Sequence, residues 1–266
     1  MKSLKESVCL KGRTALVTGA GGHIGSVISG SLAELGADLI LLDRNMDSLQ
    51  GVSDAISAKY DIRALSIQMD LEHLDQYDVL AEVRGVSREL DILVNCAAFV
   101  GTDKLDGWNE PFERQSVATW RRALEVNLTA PFILTRSLLP LLAESAGASV
   151  INFSSIYGVC APDYSIYEGL NMNNPAAYAA SKGGLLQLTR WLATTLAPGI
   201  RVNAITPGGV ERGQHHDFID RYEAKTPLRR MATEEDLKGA VAYLASDLSR
   251  YVTGQNMIVD GGWSVW

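Results

Sequence analysis

No stretch of this 266-residue chain is apolar for long enough to cross a bilayer; its greasiest runs are short and interrupted. The start, Met1-Lys2-Ser3-Leu4-Lys5-Glu6, also lacks the apolar core of a signal peptide. Both absences point to a cytoplasmic protein with no membrane partner. Cysteine is scarce as well: Cys9, Cys96 and Cys160 are scattered, odd in number and without metal-ligand spacing. That excludes a disulfide framework, suits a reducing compartment and gives no metal site. There is no dense Lys/Arg tract, and the formal net charge is −7, so nucleic acid and anionic lipid are excluded as partners. Repeats, low-complexity tracts and linker-like shifts of composition are missing too. With 47% apolar and 21% charged residues, the chain reads as one globular domain over residues 1–266, long enough to bury a large core.

What the chain does have is alternation. Apolar strand-like runs, Thr14–Thr18, Leu39–Asp43, Ala64–Met69, Ile92–Val94, Ser149–Phe153, Arg201–Ile205 and Met257–Val259, interleave with helical patterns. The helical patterns are Ile24–Leu35, Met46–Ala58, Leu74–Val86, Val117–Ala143, a segment from Pro175 through Leu196, and Glu234–Ala245. Strands without polar alternation, separated by helices, predict an α/β fold: a doubly wound parallel sheet of Rossmann type with helices on both faces. Ligands bind such sheets at the carboxyl ends of the strands.

At the first of those ends stands Thr18-Gly19-Ala20-Gly21-Gly22-His23-Ile24-Gly25, between strand and helix. Glycines let backbone approach a pyrophosphate, and a helix N-terminus offers free amides and positive dipole. Gly19, Gly22, His23, Ile24 and Gly25 are therefore candidate cofactor residues. Asp43 ends the second strand, where a carboxylate accepts hydrogen bonds from ribose hydroxyls and repels a 2′-phosphate. NAD is favoured over NADP, although the adjacent Arg44 could soften the exclusion. Asp70, with Leu71 beside it, and Asn95, with Ala97 beyond it, close the third and fourth strands on the same edge. Asp70 could meet the adenine edge and Asn95 could brace neighbouring backbone; each could equally cap its strand end.

Tyr178 and Lys182 stand four residues apart, one turn along a helix. A phenol of ordinary pKa about 10 is a poor base near neutrality, and an ammonium nearby stabilises its phenolate. A serine such as Ser155 could hold a carbonyl or alcohol oxygen while the proton moves. Together they form acid–base equipment for interconverting an alcohol and a ketone, whereas Tyr and Lys alone would equally suit a solvated helix face.

With these residues in hand, the chain resembles the short-chain dehydrogenase/reductase family from Gly12 to about Trp263. The resemblance is carried, in order, by the Thr18–Gly25 loop, Asp70, Asn95-Cys96-Ala97-Ala98 and Asn127 in Glu125-Val126-Asn127-Leu128. Ser154-Ser155, Tyr178-x-x-x-Lys182, Arg201 through Pro207-Gly208, and Thr253-Gly254-Gln255 through Asp260-Gly261-Gly262 complete it. It implies a nicotinamide cofactor and a catalytic set of Asn127, Ser155, Tyr178 and Lys182. Tyr178 would move the proton, and Lys182 would stabilise its phenolate and hold the nicotinamide ribose. Ser155 would orient the substrate oxygen, and Asn127 would kink its helix and hold a water in a relay to Lys182, with Pro131 supporting the distortion. Pro207, Gly208 and Val210 join the cofactor set. The family's common tetrameric state, and an apolar end with Val259, Trp263, Val265 and Trp266, imply a homotetramer or homodimer.

Departures from the family pattern point toward the substrate. His23 replaces a usual glycine, and Glu211-Arg212 stands where a carboxamide-binding threonine is common. Ser155 and Tyr178 are 23 positions apart (178 − 155), a connection nearly twice the family's usual length. The insertion at about 159–177 is polar and aromatic, with Tyr164, Tyr167 and Glu168, and it follows Tyr157. A polyhydroxylated, carbohydrate-like substrate is expected, and a weaker likeness to flagellin-modification and nonulosonic-acid sugar enzymes agrees. Surface decoration or a subunit contact is the alternative reading of the insertion. A substrate loop is expected at about 209–226, where Arg212, Gln214, His215 and Tyr222 could meet substrate. The adjacent His215 and His216 are expected to diverge. The other functional alternatives are the same chemistry on a cyclic or aromatic alcohol, or a non-catalytic NAD-binding scaffold.

Overall fold

In the computed structural model, which describes residues 2–100 and 105–266, neighbouring residues of each central strand enter opposite cores. Ala15 and Val17 pack on one side of the sheet and Leu16 on the other; Ile92 and Val94 are separated from Leu93 in the same way. Side chains alternate with period two, so both faces of a strand stay dry only when helices cover both. The expected strands have no polar alternation for this reason.

The strands are β1 (Thr14–Thr18), β2 (Asp38–Asp43), β3 (Ala64–Gln68), β4 (Ile92–Asn95), β5 (Ala148–Phe153), β6 (Ile200–Pro207) and β7 (Asn256–Val259). All pair in parallel, in the order β3-β2-β1-β4-β5-β6-β7. The helices are α1 (Leu4–Val8), α2 (His23–Glu34), α3 (Met46–Lys59), α4 (Val79–Val86), α5 (Val117–Leu124), α6 (Ala130–Leu142), α7 (Ala176–Leu196), α8 (His216–Lys225) and α9 (Lys238–Ala245). Ile28 and Leu32 of α2, Leu49 of α3 and Val241 of α9 fill one core. Val83 of α4, Leu134 and Leu138 of α6 and Leu192 of α7 fill the other. This is the doubly wound Rossmann-type sheet. Because β1 lies between β2 and β4, the chain leaves β1 toward α2 on one face and leaves β4 toward α6 on the other. A crevice opens at that switch.

Three elements differ from the sequence reading. Leu74–Val86 is not one helix: a 3-10 turn over Leu71–Gln76 ends before extended Tyr77, and α4 starts after Asp78. The Asp70 carboxylate accepts from the Glu72 amide and Asp78 from the Ala81 amide, so each aspartate starts its own helix. The long helix from Val117 is real but carries one π-turn, Glu125–Thr129, between α5 and α6. That is the distortion expected at Asn127, with Pro131 just beyond. The expected loop at 209–226 is largely α8, because Phe218 and Tyr222, one turn apart, are buried together.

Candidate active site

Two glycines let the loop after β1 close up. Gly19 has φ +66°, and a Cβ there would lie 2.7 Å from the Ala97 Cα; one on Gly25 would lie 2.0 Å from the Gly19 carbonyl oxygen. Thr18 stitches this loop to the end of β4: its Oγ1 accepts from the amides of Cys96 (3.0 Å) and Ala97 (3.1 Å). The threonine's role was not foreseen. Gly22 caps α2 without a side chain, so no side chain occupies the first-turn amides. Gly19, Gly22, His23, Ile24, Gly25, Asp43, Arg44, Asp70, Leu71 and Ala97 all line one cleft of about 300 Å³.

The Asp43 carboxylate is fixed by the amides of Gly21 and Asn45, each at 3.1 Å. Asp70 borders the cleft while also capping its turn. Asn95 corrects the sequence reading. It is buried away from the cleft, and its Nδ2 donates to the Asn152 Oδ1 at 2.8 Å. The register pairs Asn95 with Asn152, and paired residues of adjacent strands share a face, so the amides meet each other.

The π-turn turns Asn127 inward. Its Oδ1 accepts from the Phe99 amide at 2.7 Å and its Nδ2 donates to the Ser181 Oγ at 3.1 Å. It therefore ties the strand-β4 loop to α7 at the residue beside Lys182. Gly158 presses on the same turn of α7: a Cβ there would lie 2.7 Å from the Lys182 carbonyl carbon. Ser154 donates to the Lys182 carbonyl at 2.9 Å. This packing leaves Ser155 to reach Tyr178.

Lys182 is 2% exposed, and its Nζ donates to the Phe153 carbonyl at 2.7 Å while lying 5.8 Å from the Tyr178 ring centre. Burial lowers its pKa to about 8. Burial also raises the Tyr178 phenol, opposed by a hydrogen bond with Ser155 and by the charge of Arg212. Ser155, Tyr178 and Lys182 face a second cavity of about 330 Å³, with Pro207, Gly208 and Val210 on its rim. Ile24, Cys96, Ala98, Val100 and Arg212 border both spaces. The cleft at the glycine loop thus adjoins, across these residues, the chamber that holds Tyr178.

The insertion supplies part of that chamber. Tyr157 and Tyr167 line it with their hydroxyls hydrogen-bonded to each other, and Gln214 lines it while bracing Val210 and Arg212. Burial raises both tyrosine pKa values. Tyr164, Glu168 and His215 do not line it. Tyr164 is 58% exposed, and the Glu168 carbonyl accepts from Arg221; both border a shallow outer dent instead. The short 3-10 turn Tyr164–Tyr167 brings Tyr167 inward and leaves Tyr164 outside. His215 caps α8 by accepting from the Asp217 amide at 3.2 Å. Its ring stacks on His216 at 4.4 Å, so the two histidines do not diverge; with Asp217 their ligand atoms lie within 4.8 Å. Asn173 and Asn174 of the polar insertion line the chamber, as do Trp108 and Phe218, which the sequence reading did not single out. The Asn pair directly before Pro175 was the available signal, since residues at a helix entry sit at the mouth of a strand-end site.

A family model described as Enoyl-(Acyl carrier protein) reductase matches residues 19–264. The chain is 30% identical over 259 residues to a 3-oxoacyl-(acyl-carrier-protein) reductase of Aquifex aeolicus (strain VF5), covering 95% of this chain and 98% of the relative. Among solved structures it is similar to a putative NAD(P)-dependent gluconate 5-dehydrogenase from Beutenbergia cavernae with bound NADP. That similarity has a TM-score of 0.85 and 33% identity, over 98% of this chain and 100% of the other. It is also similar to a short-chain dehydrogenase of Leptospira borgpetersenii with bound NAD+, at TM-score 0.82 and 33% identity, over 99% of this chain and 96% of the other.

Proposed function

This chain belongs to the short-chain dehydrogenase/reductase family, oxidoreductases acting on CH–OH groups with NAD(P), and from that premise we propose its particular reaction. It interconverts a secondary alcohol and a ketone, with NAD, on a polar carbohydrate-like molecule. The observation that carries this is a chamber holding Tyr178, with Ser155 hydrogen-bonded to the phenol and Lys182 buried one helical turn away, that shares Ile24, Cys96, Ala98, Val100 and Arg212 with the glycine-loop cleft.

The cofactor's fit rests on the cradle itself. Cβ atoms at Gly19 and Gly25 would collide with Ala97 and with the Gly19 carbonyl, so glycine is what lets the loop fold this tightly at the cleft. No side chain caps the first turn of α2, and Asp43 stands fixed at the end of β2. Gly19, Gly22, Ile24 and Gly25 would hold the pyrophosphate, Asp43 the adenosine ribose and Lys182 the nicotinamide ribose. Relatives hold either NAD+ or NADP, so the preference for NAD rests on the Asp43 carboxylate. A nicotinamide held there would supply the hydride acceptor for oxidation of the carbinol carbon, and the hydride donor for the reverse.

The protein's own groups manage the oxygen. Ser155 donates a hydrogen bond to it and stabilises charge as the C–O bond changes order. Tyr178 accepts the hydroxyl proton in oxidation and returns it in reduction. Ser155 and the charge of Arg212 offset part of the burial that raises the phenol, and an ammonium on Lys182, one helical turn away, would favour the phenolate further. Asn127 holds the Ser181–Lys182 turn in place. Polar groups on the insertion side, Tyr157, Tyr167 and Asn174, support a hydroxyl-rich substrate. A cyclic alcohol is the second reading, favoured by Trp108, Phe218 and Met172 in the same chamber. Tyr178→Phe should cut NAD-linked turnover by about 10²–10⁴-fold while NADH affinity, read by fluorescence, stays within about twofold. Near-full activity in that variant would overturn the mechanism.

A further inference from the structure

We infer that the alcohol accepted here carries a carboxylate, read by Arg212, and that its other end offers a hydroxyl donor to Asn174. This deepens, and rests on, the oxidoreductase reading above. The first ground is charge. The chain has more acids than bases, 31 Asp and Glu against 24 Lys and Arg. Yet among the described residues lining the chamber the charged ones are Lys182 and Arg212, and no Asp or Glu joins them. A chamber of sign opposite to the whole molecule favours an anion.

The second ground is which of those cations is free for a ligand. Lys182 is buried against the Phe153 carbonyl. Arg212 is held by two partners: its backbone amide donates to Gln214 at 2.7 Å, and its Nε pairs with the Glu234 carboxylate at 3.2 Å. Its terminal amino groups have no acceptor among the described residues. Glu234 does not line the chamber, so the guanidinium is oriented from behind with its fork left for a carboxylate. Arg212 and Tyr178 line the same chamber, and the charge of Arg212 also acts to lower the Tyr178 phenol.

The third ground is Asn174. It lines the chamber at 4% exposure, and its Oδ1 has no hydrogen-bond partner. A buried acceptor without a donor is costly, and a substrate hydroxyl would satisfy it. An acceptor on one part of the wall and a cation on another describe a hydroxy acid better than a neutral polyol. Arg212 also borders the cofactor cleft, so a contact to a cofactor phosphate is the competing use, which the test must separate.

The test is the affinity of NADH-saturated protein for two matched pairs, D-gluconate with D-sorbitol and D-galactonate with galactitol. Each pair differs in the carboxylate. At least one acid should bind about tenfold or more tightly than its polyol, the size expected of one charge-assisted pair. Arg212→Gln should level that pair with NADH affinity held within about twofold, and Arg212→Lys should restore part of the preference. Equal affinities in both pairs overturn the inference, including no detectable binding of either. So does a preference that survives Arg212→Gln, or an Arg212→Gln variant that loses NADH instead. Turnover separates the two levels of the argument. Oxidation of polyols as readily as of acids sinks the inference and leaves the oxidoreductase reading standing. Arg212-dependent acid binding without NAD-linked oxidation of any alcohol does the reverse.

Discussion

Lys182 shows how one side chain can be legible in position and illegible in environment. Its four-residue offset from Tyr178 fixes both on one helix face, because an α-helix turns once in about 3.6 residues. That it would be 2% exposed and hydrogen-bonded to the Phe153 carbonyl depends on β5, which lies far off in sequence. The burial has a measurable consequence. In the folded protein Lys182 loses its proton at about pH 8, against 10.5 for an ordinary lysine. Between those values the unfolded chain binds more protons than the folded one, so stability rises with pH across that window. Below it the folded state carries a buried ammonium in full. Lys182→Met removes this dependence. In urea denaturation, the stability difference between wild type and Lys182→Met should therefore shift toward the wild type from about pH 7.5 to about pH 10. A difference that stays flat, or moves the other way, would show that the lysine is not desolvated. His215 and Tyr164 teach the converse at this scale: residue type suggested substrate contact, but cap geometry and the phase of a short turn put them elsewhere.

At the scale of elements, the break between α5 and α6 was visible as an asparagine and a proline in a long helical pattern. Its form was not. A π-turn needs a gain to offset the lost helical pairing, and here Asn127 supplies it by joining the Phe99 amide and the Ser181 hydroxyl. Asn127→Ala leaves the buried Phe99 amide without that acceptor, so it should destabilise the protein by about 1–3 kcal/mol in urea denaturation. It should also lower kcat by a larger factor than it weakens NADH binding, because Lys182 is displaced while the glycine loop and Asp43 are untouched. A variant as stable as wild type would show that the turn stands without the amide. The α8 helix was missed because its apolar pair, Phe218 and Tyr222, is embedded in charged residues. What holds it is packing: Tyr222 stacks on Trp263 at 4.2 Å and accepts from the Gly209 amide at 2.6 Å. Neither partner adjoins it in sequence.

Across the whole molecule, large apolar side chains remain exposed on α5, α6 and α7, namely Trp120, Phe132 and Trp191, and at the end of the chain, Val265 and Trp266. We propose that such side chains are covered by further copies of the chain in a homodimer or homotetramer, which predicts a sedimentation mass of two or four chains. A monomer at micromolar concentration would overturn it. The described residues contain no helix long and apolar enough to cross a membrane. By itself the sequence determined the parallel sheet, the glycine cradle, Asp43 and the Tyr178–Lys182 pair, since each follows from local periodicity or a short motif. The tertiary structure alone decided that Asn95 faces Asn152, that Tyr167 turns inward while Tyr164 does not, and that Arg212 borders both spaces. Those outcomes depend on which strands are neighbours and how loops from distant elements pack, and pairwise packing of that kind leaves no local period to read.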